Sequence, residues 1–346
     1  MKKVEERTGT VNALWPFIDD ADRVVHPVAK AIGTRKQMII DENESVPTPV
    51  RVRSSMIGIE EPEASRPTVT LGWHPDVPDF RDLTIYDDKP AERLAAQFTK
   101  LQGKKNKSLP RRHENLKWCS PVENQGKLRS CTAQAVVGLV EYMQRRSNLR
   151  HVDGSRLFVY HVTRRLLGWS GDSGGYLRTA MKAVAAFGVP PEEYWPYDES
   201  RFDEEPTPFL YSFAKEYQAL DYARIDLPQV KPEDVLENLK RTIASGLAVA
   251  FGFSVYSSLT NGPDIPDPKK RDRLKGGHAV MAVGYDDDHC LPDGTKCPSL
   301  IIRNSWGANW GVGGYGFLPY SYIERGIAKD FWTVLKTEWL DLEKFD

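Results

Sequence analysis

The chain has 346 residues, with 47 Lys and Arg against 48 Asp and Glu and a net charge of -1. That length exceeds one typical domain, and a hydrophobic fraction of 40% with 10% aromatic residues is enough for a sizeable core. Because the charges balance, the chain has no overall field to attract nucleic acid or an anionic membrane, and we expect neither as a partner.

The N-terminus begins MKKVEERTGTVNALWPFIDD, which has basic residues but lacks the apolar run of a secretory signal peptide. No run of about 18 apolar residues occurs, so no membrane span is expected. Cysteines stand at 119, 131, 290 and 297, too sparsely for a disulfide scaffold, and favour a reducing compartment. We therefore expect a cytoplasmic protein, with export by another route left open.

The first part of the chain predicts an extended arm rather than a packed domain. Residues 41–67 are rich in Pro, Glu and Ser and cannot bury much surface. The prolines of GWHPDVPDFRDL, at 72–83, favour extended structure, and residues 92–101 predict a short helix. The basic segment KKNKSLPRR, at 104–112, is interpreted as a solvated connector.

From about residue 118 the pattern becomes helical. Residues 131–146, CTAQAVVGLVEYMQRR, carry apolar side chains at the spacing of one helix face and two arginines at the C-terminal end. A second helix is predicted from Arg156, and a third in GGYLRTAMKAVAAFGV, with Gly188 as its C-terminal cap.

After Tyr211 the pattern becomes strand-like, with one helix, PEDVLENLKRTIAS, before the first strand. The predicted strands are short, β-branched or aromatic, and bounded by Gly, Pro and Asp; they cover 247–255, 278–286, 299–306 and 313–320. A helical half followed by a β half indicates an α+β fold with helices beside an antiparallel sheet or barrel.

Three polar residues have settings that are unusual for core positions. Cys131 begins a helix, where the partial positive charge of the helix N-terminus favours the thiolate. His278 starts an apolar strand after two glycines, which permit close backbone approach, and Asn304 ends another strand. Each alone is more often an inert thiol, a packed histidine or a turn residue. Together they follow the papain-group order, with the histidine 147 residues after the cysteine and the asparagine 26 further on.

The segment from about Pro121 to Tyr320 resembles the papain-like cysteine peptidases. PVENQGKLRSCTA is similar to the family's nucleophile block, GGHAVMAVGYDD to its histidine block, and IIRNSWGANWGVGGYGFLPY to its asparagine block. The resemblance looks closest to a bacterial branch, which favours Thr after the nucleophile. It implies two lobes with the active-site cleft between them: a helical left lobe at 111–218 and a β-barrel-like right lobe at 219–346, preceded by an arm at 1–110.

By this resemblance the protein is a cysteine peptidase, acting as an endopeptidase or exopeptidase on peptide or protein substrates. Cys131 is expected to be the nucleophile, His278 the proton carrier and Asn304 the residue that orients the histidine. Gln125 and the backbone N–H of Cys131 are expected to bind the oxyanion, and Trp306 to shield the histidine–asparagine bond. Opposite charges should stabilise a thiolate–imidazolium pair. No cofactor or metal is expected.

The resemblance also assigns the substrate groove. Its edge should consist of Gly174, Gly175 and Tyr176, and its side-chain pocket should include Pro196, Tyr197 and Ala279. Arg129 departs from the family, which has glycine beside the nucleophile; the arginine could narrow the groove, contact an acidic substrate group or stabilise the thiolate.

Several alternatives stay open at this point. Cys290 and Cys297 could be free thiols of a surface hairpin, a disulfide, or metal ligands together with His289. The arm could be an inhibitory prosegment cleaved near 104–112, or a tether. The chain could also be a catalytically silent papain-like peptide-binding protein, or a thiol acyltransferase such as a transpeptidase.

Overall fold

The computed structural model of the chain describes residues 69–102, 108–147 and 152–339. The predicted linker at 41–67 and residues 103–107 of the basic segment lie outside the described residues. The helices are α1 (Asp88–Gln102), α2 (Cys131–Arg146), α3 (Arg156–Leu166), α4 (Leu177–Phe187), α5 (Pro208–Ala214), α6 (Pro232–Ala244) and α7 (Ser321–Glu324), with short 3-10 turns at Leu116–Trp118, Glu192–Tyr194 and Glu199–Arg201. The strands are β1 (Arg112–Glu114), β2 (Tyr217–Arg224), β3 (Val249–Tyr256), β4 (Leu274–Asp286), β5 (Ser299–Arg303), β6 (Tyr315–Pro319) and β7 (Ala328–Trp339).

The strands form one antiparallel sheet in the order β2-β7-β3-β4-β5-β6, with β1 pairing on β4. The predicted α+β fold, helices first and strands second, is confirmed. The β half is an open sheet rather than a closed barrel, because β2 and β6 stand at opposite ends of the strand order.

Helix α2 is the central helix of the fold. Its predicted apolar face is buried, but nearly all its other residues are buried too, because it packs against β4 on one side and against α3 and α4 on the other. Some of its buried polar groups have hydrogen-bond partners. The Glu141 carboxylate, for example, accepts from Ser120 Oγ at 2.5 Å and from the amide of Gly154 at 3.0 Å. A fully buried helix holds its first residue, Cys131, in a fixed position.

The described part of the predicted arm is docked on the rest of the chain by buried ion pairs. The guanidinium of Arg178 binds Asp82 at 2.7 Å and also pairs with Asp76, both of them residues of the arm. Arg224 lies next to this pair and binds Asp330 at 2.8 Å. Removing one partner of such a buried pair typically costs about 3–5 kcal/mol, so this network anchors the arm.

The predicted short helix at 92–101 is confirmed as part of α1, and Gly188 caps α4 with a φ of 80° and an amide bonded to Val184 O at 2.9 Å. Strand β7 was not predicted. Residues 330–335 of this strand are all buried between β2 and β3, so they lack the alternation of a half-exposed strand. None of the helices within the described ranges is long and apolar enough to cross a membrane.

Candidate active site

The sulfur of Cys131 lies at the N-terminus of α2, directly after Ser130 as N-cap, and Cys131 is fully buried. Backbone amides of Ala279, Gly72 and Thr132 lie within hydrogen-bonding reach of the sulfur and favour the thiolate. Burial outweighs them and raises the pKa of the Cys131 thiol to about 11. In this covered geometry the sulfur is a protonated thiol at neutral pH.

The imidazole of His278 is held by two other residues predicted for the site. Its Nε2 lies 2.7 Å from Oδ1 of Asn304, and that oxygen also accepts from the amide of Ser305 at 2.8 Å. Trp306 stacks on the imidazole with ring centroids 4.2 Å apart. Because Asn304 Oδ1 is an acceptor, Nε2 carries the proton of the neutral ring and Nδ1 is left as an acceptor. Nδ1 is buried and has no hydrogen-bond partner among the described residues.

His278 is also fully buried, and burial lowers the pKa of its imidazole to about 4, although the bond to Asn304 opposes this shift. The sequence predicted a thiolate–imidazolium pair. In the covered site both pKa values move the other way, because water is excluded from both groups. Burial therefore favours a neutral thiol at Cys131 and a neutral imidazole at His278.

Gln125 is buried and fixed by three hydrogen bonds. Its Oε1 accepts from Ser305 Oγ at 2.7 Å, which aims the amide nitrogen towards the nucleophile loop. Nε2 donates to Leu128 O at 2.9 Å and to the carbonyl of Thr70 at 3.1 Å. A peptide carbonyl of the arm is thus bound by the side chain predicted to bind the oxyanion.

The arm crosses the groove as an extended chain. The amide of Gly175 donates to Gly72 O at 2.9 Å, and the amide of His74 donates to Gly175 O at 3.2 Å. Gly72 needs to be glycine here, since an added Cβ would stand 2.0 Å from the carbonyl oxygen of Arg129. The predicted groove edge at Gly174 and Gly175 therefore pairs with a peptide backbone, and that peptide belongs to the same chain.

The side chain of Trp73 fills a pocket formed by three adjacent strands. A Cβ added at Gly252 on β3 would come within 1.9 Å of the indole, and one added at Gly277 on β4 within 2.5 Å. The indole Nε1 donates to Oδ2 of Asp330 on β7 at 3.1 Å. Trp73 is only 5% exposed, so the pocket is completely occupied.

The remaining predicted groove residues lie in different places. The ring of Tyr176 lies 5.9 Å from that of His74, at the edge of the groove. Ala279 contributes its amide to the sulfur of Cys131. The hydroxyl of Tyr197 contacts Gln125 O at 2.9 Å and Ser130 Oγ at 2.6 Å, which places it against the nucleophile loop.

Pro196 is exposed beside Tyr197, and the assignment of both to the substrate pocket stays a prediction. Arg129 is exposed, its amide bound to Asp172 at 2.8 Å and its backbone against Gly72. Its main chain thus lines the groove.

Three residues of the pocket were not singled out from the sequence: Trp73, Gly252 and Asp330. The available signals were the glycine pair before His278, interpreted correctly as allowing close backbone approach, and the tryptophan in the extended, Pro-containing segment at 72–83. Asp330 had no local signal, because its place depends on the pairing of β7 with β3.

The other three cysteines are free thiols. Cys119 is buried, whereas Cys290 is exposed in the predicted hairpin and Cys297 lies half-buried opposite it. His289 stacks on Phe317 and bonds to Asp264 at 2.6 Å. Within the described residues, no group of three or more His, Cys, Asp or Glu is arranged to hold a metal ion.

Comparison with protein families matches residues 106–333 to the papain family of cysteine proteases. An uncharacterised peptidase C1-like protein of Acanthamoeba polyphaga mimivirus is 31% identical over 287 residues, which cover 80% of this chain and 90% of that protein. Chymopapain of Carica papaya is 27% identical over 282 residues, or 76% of this chain and 72% of chymopapain.

Among solved structures, xylellain, a cysteine protease from Xylella fastidiosa, is 32% identical and superposes with a TM-score of 0.62. The match covers 78% of this chain and 97% of xylellain. A procathepsin B of Trypanosoma congolense shares the fold at 16% identity, with a TM-score of 0.55 over 78% of this chain and 87% of that one.

Proposed function

This chain belongs to the papain family of cysteine proteases, and we propose that it hydrolyses peptide bonds through Cys131, His278 and Asn304. Family membership makes it a cysteine-type hydrolase. The assignment of the three residues is our own. It is supported by the fixed hydrogen bond of His278 Nε2 to Asn304, which leaves Nδ1 to serve the nucleophile.

The reaction follows from these positions. His278 Nδ1 accepts the proton of the Cys131 thiol, and the sulfur attacks the peptide carbonyl to give a tetrahedral oxyanion. The imidazolium then gives its proton to the leaving amine, the C–N bond breaks, and an acyl-enzyme remains. Water, deprotonated by His278, attacks that thioester; the C–S bond breaks, the acid product leaves, and the proton returns to the sulfur of Cys131. Trp306 covers the ring and keeps water from its bond to Asn304.

The oxyanion is stabilised by Gln125 Nε2 and by the free amide at the start of α2. One donor of this kind typically contributes a factor of about 100–1000 to kcat. The observation that carries the whole proposal is the 3.1 Å hydrogen bond from Gln125 Nε2 to the carbonyl of Thr70. A peptide carbonyl already occupies the position at which a substrate carbonyl would be polarised.

The groove suits an internal stretch of a polypeptide. The arm passes over Cys131 without interruption, with Thr70 on one side and His74 on the other. A chain that extends both ways from the sulfur favours an endopeptidase. An internally quenched peptide with both ends blocked should therefore be cleaved.

Replacing the nucleophile tests the assignment. Cys131→Ala should abolish cleavage of the blocked peptide and keep the melting temperature near that of the wild type. Cys290→Ala is the matched control, since Cys290 is also a free thiol but is exposed. It should retain full activity. Normal turnover by Cys131→Ala, or loss of activity in the control, would overturn the proposal.

The segment 69–76 inhibits the enzyme by occupying its groove. It is bound by backbone hydrogen bonds to Gly175 and Gly277 and by the buried indole of Trp73. The carbonyl of Gly72 is held by the amide of Gly175 at the groove edge. These contacts favour a segment that blocks the groove.

Opening by displacement is favoured over removal of the whole arm. Cleavage at 104–112 followed by loss of residues 69–102 would take away Asp76 and Asp82 and leave the buried Arg178 without either carboxylate. Displacement of residues 69–76 alone keeps the pair with Asp82. We therefore expect an active chain of unchanged length.

Mild acid should help the segment to leave, because His278 gains a proton more easily once it is hydrated. Incubation at pH 5 with intact-mass analysis and N-terminal sequencing tests this step. Activity from the chain of full mass supports displacement. Activity that appears only with a new N-terminus near 104–112 contradicts it.

A further inference from the structure

The groove edge and the nucleophile loop come from different parts of the chain, and a bound peptide has to meet both. Gly175 at the edge pairs with a peptide backbone. The nucleophile loop, residues 125–130, leads into α2 and Cys131, which in the proposed reaction attacks a carbonyl of that peptide. The two have to be held at the right separation before a peptide binds, because ordering a loop during binding costs affinity.

The groove edge is the end of a loop, residues 168–175, that has little regular structure of its own. The loop runs between α3 and α4 and has the sequence GWSGDSGG. Three of its four glycines have a positive φ, and glycine leaves the backbone freer than any other residue does. Such a loop keeps one conformation only where side chains from other elements hold it.

Two buried side chains of α3 hold this loop. Nη1 of Arg164 donates to Gly171 O at 2.7 Å. The hydroxyl of Tyr160 accepts from the amide of Gly174 at 3.1 Å and donates to Oδ1 of Asp172 at 2.6 Å. Burial, and after it the bond to Asp172, raises the pKa of Tyr160, so the hydroxyl keeps the proton that it donates.

The carboxylate of Asp172 extends this connection to the nucleophile loop. The same Oδ1 accepts from the backbone amide of Arg129 at 2.8 Å. Three hydrogen bonds, through one hydroxyl and one carboxylate, thus join the amide of Gly174 to the amide of Arg129, and we call this chain of bonds the edge relay. Within the part of the chain that the structure describes, no backbone hydrogen bond joins the two loops directly. Their polar connection therefore depends on Tyr160 and Asp172.

We propose, on the basis of the peptidase function proposed above, that Tyr160 and Asp172 are positioning residues that hold the groove edge ready for the substrate backbone. They act on the peptide through Gly175 and on the nucleophile through the loop before Cys131. No member of the edge relay belongs to the segment 69–76, so the relay persists when that segment leaves. Without the relay the loop becomes ordered only when a peptide binds. The cost then falls on binding, and the chemical step is unchanged.

Removing single groups of the edge relay tests the proposal, in the Trp73→Ala chain so that the arm does not compete with the peptide. Tyr160→Phe and Asp172→Ala should each raise KM for the blocked, internally quenched peptide by roughly tenfold and leave kcat within about twofold. Asp172→Asn should stay near the parent, since its amide oxygen can accept both bonds. Tyr211→Phe is the matched control and should leave KM unchanged, because it removes a half-buried hydroxyl bonded to a different carboxylate, that of Glu205, at 3.0 Å.

Combining the two changes gives a second readout. Because both break the same relay, the chain with Tyr160→Phe and Asp172→Ala together should have nearly the KM of either single variant. Effects that multiply, an unchanged KM in both single variants, or an Asp172→Asn chain that behaves like Asp172→Ala would overturn the proposal. Asp172 is only half-buried, so Asp172→Ala and Asp172→Asn supply the test even if Tyr160→Phe does not fold.

A binding measurement separates this proposal from the catalytic one. The blocked peptide is titrated by calorimetry into chains that carry Trp73→Ala and Cys131→Ala, with and without Asp172→Ala. A dissociation constant that is roughly tenfold higher with Asp172→Ala supports the edge relay even if no chain cleaves the peptide. Equal dissociation constants in the two chains refute it, whatever the activity.

Discussion

Replacing Trp73 with alanine should raise the peptidase activity of the full-length chain. The indole is 5% exposed and holds the segment 69–76 in the groove together with its bond to Asp330. Truncating a buried tryptophan typically costs about 3–5 kcal/mol. Here the lost free energy weakens the docking of the segment, since the Trp73 side chain joins that segment to the sheet. The docking equilibrium should therefore shift by a factor of roughly one hundred to several thousand.

Two assays report this shift. The first is the initial rate of cleavage of an internally quenched peptide, and the second is the rate at which iodoacetamide alkylates Cys131. Both should rise by roughly a hundredfold or more, up to the limit set by the fully open chain. The alkylation rate has to follow the cleavage rate, because both depend on access to the same sulfur.

Phe80→Ala is the matched control. Phe80 lies on the same arm and is also aromatic, but it is 98% exposed, so its loss should change neither rate. The reasoning is refuted if Trp73→Ala stays folded and both rates remain within twofold of the wild type. It is also refuted if Phe80→Ala produces the same increase.

Three further predictions concern other parts of the same machinery. Arg178→Ala should raise the basal cleavage rate, because Asp82 of the arm loses its buried partner. Arg81→Ala, which removes only an exposed pair with Asp79, should leave the rate unchanged. Equal rates in the two variants would contradict the anchoring role of Arg178. Gln125→Leu should lower kcat by about 100- to 1000-fold with little change in KM, and an unchanged kcat would remove Gln125 from the oxyanion site. The free energy of unfolding should fall as the pH is lowered from 6.5 to about 4, because the unfolded chain binds a proton at His278 that the folded chain does not. Urea unfolding should show that the wild type loses on the order of 2–3 kcal/mol over this range and that His278→Gln does not. The same pH dependence in both proteins would exclude His278 as the cause.

The elements that carry the nucleophile and the histidine could be predicted from the sequence because their patterns are local. Cys131 precedes a run with helical spacing, and His278 lies in an apolar strand after two glycines. The contact of Asn304 with His278 was available only from the resemblance, since nothing in a strand's own pattern fixes which neighbour it pairs with. The structure adds the 2.7 Å bond between them.

The pocket could not be predicted in the same way. Trp73 and Asp330 are 257 residues apart and meet only because β7 pairs with β3. Asp330 has a φ of 59°, a left-handed conformation that aspartate tolerates better than most residues, and the sequence carries no mark of it. The assignment of Pro196 and Tyr197 to the substrate pocket stays a prediction; in this structure the hydroxyl of Tyr197 bonds to the loop before Cys131.

The ionisation of the site depends on burial, which residue types alone do not give. The charged pair of Cys131 and His278 stays a prediction for the open site. In this structure both side chains are fully buried, which raises the pKa of the thiol and lowers the pKa of the imidazole.

Covalent labelling with a thiol-directed peptidyl epoxide, followed by peptide mapping, tests the central claim most directly. The account predicts one label, on the sulfur of Cys131, formed slowly in the wild type and much faster in Trp73→Ala. Modification of Cys290 or Cys297 in place of Cys131, or peptide cleavage that continues after Cys131 is fully labelled, would contradict it.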